Sequence, residues 1–201
     1  VIAAVRLDAL AIERGGRVLF RDLNVRLEAG EALEVAGANG SGKTSLLRAV
    51  AGLLSPLTGK VVFEGGGDAA DVRRLDCHLV GHNDGLKGAR TAREELLFQC
   101  RWFGADDTAA LTAADRLGLT RQLGLETRRL SAGQKRRLAL ARLIAAPRAL
   151  WLLDEPLAPV DPAGRSLVAE IMAAHLEGGG LIMAAAHDPL PIPARALALS
   201  A

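Results

Sequence analysis

The nine residues GANGSGKTS, Gly37 to Ser45, restrict the folds open to this chain more than any other stretch in it. They set Gly37, Gly42, Lys43 and Thr44 in the pattern G-x-x-x-x-G-K-[ST], after an apolar run and before a periodic one. That pattern works only where a strand feeds a tight loop that opens a helix. The loop through Ala38, Asn39, Gly40 and Ser41 then curls so that several backbone N–H groups converge on phosphate oxygens, with the helix dipole behind them. Lys43 neutralises phosphate charge, and the Thr44 hydroxyl suits Mg²⁺. These residues predict an α/β domain that binds a nucleoside triphosphate.

The rest of the chain fits that frame. Strand-like runs fill the first sixty-odd residues: VIAAVRLDALAI, then NVRLEAGEALEVAG, then GKVVFEG. One helix interrupts them, in which Leu46, Leu47 and Val50 share a face and Gly52 with Pro56 ends the run. From about 84 to 146 the pattern turns helical. Thr91 with Glu94 forms a capping box, and Asp106 or Asp107 suits the start of a further helix. Trp102 and Phe103 read first as core of this helical part. The final third alternates again: strand ALWLLDE, helix PAGRSLVAEIMAAHLEGG, strand LIMAAAH. Alternation of strand and helix implies a parallel sheet, with the helical middle inserted in it.

Composition narrows the function classes. With 201 residues, 50% of them hydrophobic, the chain can bury a core of one domain. A net charge of +2 and 3% aromatics, with no tyrosine, give no reason to expect nucleic acid. Cys77 and Cys100 lack metal-ligand spacing and suggest a reducing compartment. The longest apolar runs are too short to span a bilayer and no cleavable signal opens the chain, so the expectation is a cytoplasmic protein.

Two further stretches carry chemistry. In ALWLLDEPL an apolar strand ends at Asp154 and Glu155, where a parallel sheet delivers its ligands. Asp154 is the candidate Mg²⁺ partner, and Glu155 the candidate general base on an attacking water. In RRLSAGQKRRLALARLIAAP, Ser131 and Gln134 fit a second capping box. A glycine in the first turn, Gly133, among so many cations also describes an anion site.

LSAGQ, about twenty residues before WLLDEP, resembles the L-S-G-G-Q signature of ATP-binding cassette (ABC) ATPases. The phosphate loop, signature, acidic strand, APVD ending at Asp161, and His187 stand in that family's order along essentially the whole chain. The resemblance implies a P-loop NTPase with a parallel-sheet core, an N-terminal antiparallel β subdomain and an inserted α-helical subdomain. Residues 1–83 and 147–201 would form the core and 84–146 the helical part. It also implies a head-to-tail homodimer that hydrolyses ATP with Mg²⁺. In it, Ser131, Gly133 and Gln134 of one copy cap the ATP held by the other, with Glu155 and His187 catalytic and Asp161 communicating across the interface.

Three positions depart from the family pattern. Asn83 stands where the family has a glutamine that reaches the metal, one methylene shorter, so that water would bridge it to Mg²⁺. Arg14 stands near the place of an adenine-stacking aromatic, and a guanidinium plane can stack on a base. Ala132 replaces the first signature glycine.

GHNDGLKGARTAREELLF, LSAGQKRRLALARL and HDPL resemble the ATP-binding subunits of haem exporters in bacterial cytochrome c maturation. That likeness implies a peripheral subunit on the cytoplasmic face of the bacterial inner membrane. Integral membrane subunits of the haem exporter permease type would be its partners, and ATP hydrolysis would be coupled through them to delivering or releasing haem for c-type cytochromes. The helical middle, with Leu86, Lys87, Trp102 and Phe103, would meet the membrane subunit. Other ABC transporter subunits, exporting lipids, peptides or metals, remain open at this point. So does a non-membrane ABC ATPase acting on DNA or ribosomes. A nucleotide kinase gives no account of LSAGQ with His187.

Overall fold

A computed structural model describes residues 2–199, so Val1, which opens the first predicted strand, lies outside them. The described residues divide into two units. One comprises 2–81, 148–156 and 173–199, the other 82–147 and 157–172.

The first unit holds two sheets. Strand β1 (Ala4–Arg14) pairs antiparallel with β2 (Arg17–Glu28) on one side and with β4 (Thr58–Glu64) on the other. The second sheet is parallel throughout, in the order β5 (Cys77–Val80), β6 (Leu150–Asp154), β7 (Leu181–Ala185), β3 (Ala32–Ala36), β8 (Arg195–Ala198). Every residue of β6 and β7 is buried. This is the reason both read as unbroken apolar runs rather than alternating ones. Helix α1 (Lys43–Val50) follows β3 and packs Leu46, Leu47 and Val50, all fully buried, into a core that includes Leu33, Leu152 and Met183. A short helix, α2 (Ala69–Leu75), is capped by Asp68.

The strand predicted over NVRLEAGEALEVAG, Asn24 to Gly37, is two strands. The turn at residues 29–31 splits it, and the halves enter different sheets. Gly30, at φ 82°, takes the left-handed backbone this reversal needs.

The second unit is helical. Helix α3 (Ala92–Trp102) starts at the Thr91–Glu94 capping box, and α4 (Asp107–Arg116) starts at Asp106. Helix α5 (Ala132–Ala145) packs against both. The interface is close because small residues line it: Ala110, Ala113 and Ala114 of α4 and Ala139 and Ala141 of α5 are fully buried. Trp102 is not core. It is 79% exposed at the end of α3, and Phe103 is only half-buried. The side chains that face inward from α3 are Ala92, Glu95, Leu96 and Cys100, which leaves the Trp102 direction to solvent. Helix α6 (Pro162–Glu177) begins in this unit and completes the elements. No helix among the described residues is long and apolar enough to cross a membrane.

Candidate nucleotide site

The candidate site assembles at the carboxyl ends of parallel strands, and the loop after β3 forms its centre. Gly42 caps α1 with φ 107° and offers no side-chain cap, so first-turn N–H groups of α1 keep their donor capacity for an incoming anion. A side chain at position 42 would meet the Phe20 ring at 3.0 Å, so β2 presses directly on the loop. Lys43 is buried, and its ammonium donates to the carbonyls of Gly37 (2.7 Å) and Ala38 (3.3 Å). The cation is thus held across the loop it would share with phosphate. Ser41 Oγ is buried with no hydrogen-bond partner among the described residues, a donor awaiting an acceptor.

Thr44 and Asp154 meet here although 110 residues separate them: the Thr44 hydroxyl donates to Asp154 Oδ2 at 2.9 Å. Strand β6 supplies that carboxylate at its last residue, opposite Ala185 of β7, where it is 4% exposed. A hydroxyl and one carboxylate are hard oxygen donors, few enough that phosphate oxygens must complete a Mg²⁺ shell. Among the described residues no group of three or more His, Cys, Asp or Glu side chains is placed to hold a metal ion. The donor set fits a nucleotide-bound Mg²⁺.

Glu155 follows at once, with a left-handed backbone at φ 52° and its N–H donating to the Ala185 carbonyl at 2.8 Å. This is an unusual conformation for a residue with a side chain, and such strain gathers at functional sites. His187 lies two residues past β7, and its Nε2 stands 3.6 Å from Glu155 Oε1. That distance exceeds a hydrogen bond and leaves the carboxylate oxygen open to a water. The His187 side chain is 56% exposed, whereas that of Glu155 is 14% exposed.

The helical unit brings the signature residues together. Ser131 Oγ accepts from Gln134 N (3.2 Å) while Gln134 Oε1 accepts from Ser131 N (2.9 Å), a complete capping box. Gly133 is held tightly: a Cβ there would stand 2.8 Å from the Pro159 carbonyl oxygen. Asp161 accepts from Gly164 N at 3.1 Å and so caps α6. Ser131 is exposed.

Arg14 is exposed at the tip of the β1–β2 hairpin, opposite Arg17 across the Gly15–Gly16 turn. Asn83 is exposed beside a cleft of about 480 Å³ that Asp84, Thr127, Arg128 and Lys135 also line. Two contacts escaped the sequence reading. Phe20 touches the phosphate loop, and fully buried Arg136 pairs with Asp84 at 3.0 Å. Arg136 is one of three arginines in α5, and nothing in the sequence marks it as the buried one. Burial pushes the Cys77 thiol up to about 12 and the Cys100 thiol up to about 11, which disfavours the thiolate at both.

A family model described as ABC transporter matches residues 20–158. The chain belongs to the ABC transporter family. Among relatives of this ABC protein is the cytochrome c biogenesis ATP-binding export protein CcmA of Rhodopseudomonas palustris (strain BisB5), 44% identical over 188 residues, 94% of each chain. The protein of that name from Nitrobacter winogradskyi is 45% identical over 190 residues, again 94% of each. Among solved structures, a Pyrococcus furiosus protein assigned to the ABC transporters as an ATP-binding protein aligns with TM-score 0.83 at 18% identity. It covers 98% of this chain and 97% of its own. The dimeric ATP-binding cassette MJ0796, bound to ADP and phosphate, aligns with TM-score 0.78 at 23% identity, over 92% and 88%. At such identities these structures speak for the fold alone, which is the ABC ATPase fold. As an ABC ATPase the chain binds and hydrolyses ATP.

Proposed function

We propose that this chain is the ATPase subunit of a membrane-bound exporter serving cytochrome c biogenesis, with haem handled through integral membrane partners. The similarity to CcmA proteins over nearly the full length supports the pathway. On this reading the chain is peripheral, at the cytoplasmic face of the bacterial inner membrane. Its nucleotide-binding core and helical subdomain divide near 83–84 and 146–147.

The observation that carries the reading is the meeting of Thr44 with Asp154, beside Glu155 and His187. The loop from Gly37 to Thr44 binds the phosphates, with Lys43 neutralising β- and γ-charge. Thr44 and Asp154 would hold Mg²⁺, with Asn83 reaching it through water, and the ion would offset charge on the phosphoryl oxygens. Glu155 takes a proton from water, whose oxygen attacks the γ-phosphorus; the bond to the ADP oxygen breaks, and ADP and phosphate leave. His187 holds the water and Glu155 in register. Ser131, Gly133 and Gln134 come from a second copy in a head-to-tail dimer. There Asp161 links the two sites and Arg14 stacks on the base.

The test is Glu155→Gln. It should bind ATP as the wild type does and hydrolyse it about 10²–10³-fold more slowly, accumulating as an ATP-bound dimer. Wild-type turnover in this variant would remove Glu155 as the base.

A further inference from the structure

Arg136 is 1% exposed, and a buried guanidinium without a partner would be costly. Its Nη1 donates to Asp84 Oδ1 at 3.0 Å, and the Asp84 side chain is 22% exposed. The two residues sit 52 positions apart on segments with candidate site roles. Asp84 follows Asn83, and Arg136 lies on α5 two residues beyond Gln134 and three beyond Gly133. Neither end of the pair belongs to a recognised nucleotide motif, yet it joins a loop that carries one motif to the helix that carries another.

The neighbouring backbone stiffens the same junction. Thr127 N donates to the Arg90 carbonyl at 2.9 Å and Arg128 N to the Gly88 carbonyl at 3.2 Å. The Thr127 hydroxyl donates to the Lys87 carbonyl at 2.7 Å. Thus the stretch 87–90 is laced to the residues that lead into Ser131. The two backbone pairs tolerate many sequences, whereas the hydroxyl bond needs a serine or threonine at position 127. Arg136–Asp84 is the side-chain bond that carries the lacing on from 87–90 to residue 84, beside Asn83. A buried ion pair adds little net stability relative to apolar packing, and its best-attested use is to fix register. The pair therefore makes more sense as a positioning device than as a source of stability.

We propose that Arg136 is a positioning residue for ATP hydrolysis: through Asp84 it fixes the Asn83 segment against the helix start that presents Ser131 and Gly133. Because the charge-assisted bond from Nη1 to Oδ1 sets the distance between the two segments, loss of the pair leaves each motif intact but misaligned. This rests on the ATPase reading above. Misplacement of positioning groups by about 1 Å can cost up to about 10²-fold in rate. The effect belongs to turnover, not to nucleotide affinity, which the Gly37–Thr44 loop supplies.

The full chain is the sample. Wild type, Asp84→Asn, Arg136→Gln, the double variant and Arg136→Lys are compared by kcat, KM, equilibrium binding of a fluorescent ATP analogue, and melting temperature. Asp84→Asn and Arg136→Gln should each lower kcat about tenfold, with KM and analogue affinity within about twofold of wild type. The double variant should lose clearly less than the product of the two single losses, since both single variants remove the same pair. Arg136→Lys, which keeps the charge, should recover part of the rate. Should Arg136→Gln fail to fold, Asp84→Asn carries the test, because its partly exposed side chain changes by one atom. Unchanged kcat in Asp84→Asn, losses that multiply in the double variant, or a fall in kcat matched by equal loss of binding would overturn the proposal. A wild-type chain that neither binds nor hydrolyses ATP would overturn the ATPase reading, and this inference with it.

Discussion

Glu155 holds the left-handed backbone at φ 52° while its side chain is 14% exposed. For a residue with a Cβ this conformation costs on the order of 1–3 kcal/mol, which glycine does not incur. The cost persists because the next-door geometry demands it. Asp154 must end β6 facing Thr44, and the Glu155 N–H must still reach the Ala185 carbonyl. The carboxylate is thereby turned toward His187 instead of continuing the strand's alternation. Glu155→Gly should therefore be more stable than Glu155→Gln, by about 1 kcal/mol, or roughly 2–4 °C in melting temperature for a chain of this size. Both variants should be equally inactive. Calorimetry of the two proteins checks this, and equal melting temperatures would mean that position 155 carries no such strain.

Two helices of the second unit start in the same way, which separates capping from chemistry at the level of the element. Thr91 caps α3 and Ser131 caps α5, each by a complete capping box with Glu94 or Gln134. Loss of either hydroxyl should cost about 1 kcal/mol of stability. Thr91→Ala and Ser131→Ala should thus lower the unfolding free energy in denaturant titrations by similar amounts. Only Ser131→Ala should also reduce ATP hydrolysis, by about tenfold or more, since a charge-assisted hydrogen bond is worth about 1.5–3 kcal/mol. Equal activity in the two variants would leave Ser131 as a cap and nothing else.

The elements that local chemistry specifies were the legible ones. Capping boxes announced α3 and α5, and burial on both faces made β6 and β7 continuous apolar runs. Strand β8 escaped because three of its four residues are exposed, and α2 because Val72 is its sole buried residue. The stretch from Asn24 to Gly37 merged two strands because β-propensity carries no sign of which sheet a strand joins. The same boundary runs through the candidate site. The loop Gly37–Thr44 is contiguous and visible as a pattern, and Asp154 was visible as a strand end. The Phe20 contact with the loop and the Arg136–Asp84 pair join residues 22 and 52 apart. Such contacts are tertiary facts that no spacing rule encodes.

On the scale of the whole molecule, the exposure of Ser131 decides what the chain needs from outside itself. Lys43 and Asp154 are buried where they would meet the phosphates and Mg²⁺, whereas Ser131 faces solvent at the start of a helix without an acidic residue in its first turn. An exposed, uncompensated helix start favours an anion, and a second copy of the chain would bring one as its bound ATP. A symmetric head-to-tail pair then forms two such contacts at once. Hydrolysis per chain should consequently rise with protein concentration, reaching a plateau once the dimer dominates, and the apparent affinity for an ATP analogue should tighten over the same range, because nucleotide that joins two copies is linked to their association. Dilution well below the dimerisation midpoint should lower specific activity by about tenfold or more, if γ-phosphate contacts from the second copy contribute the 1.5–3 kcal/mol of a charge-assisted bond. Specific activity measured across a dilution series, with sedimentation at the same concentrations, gives the answer. Constant activity in samples that sediment as monomers would show that one copy completes the reaction alone.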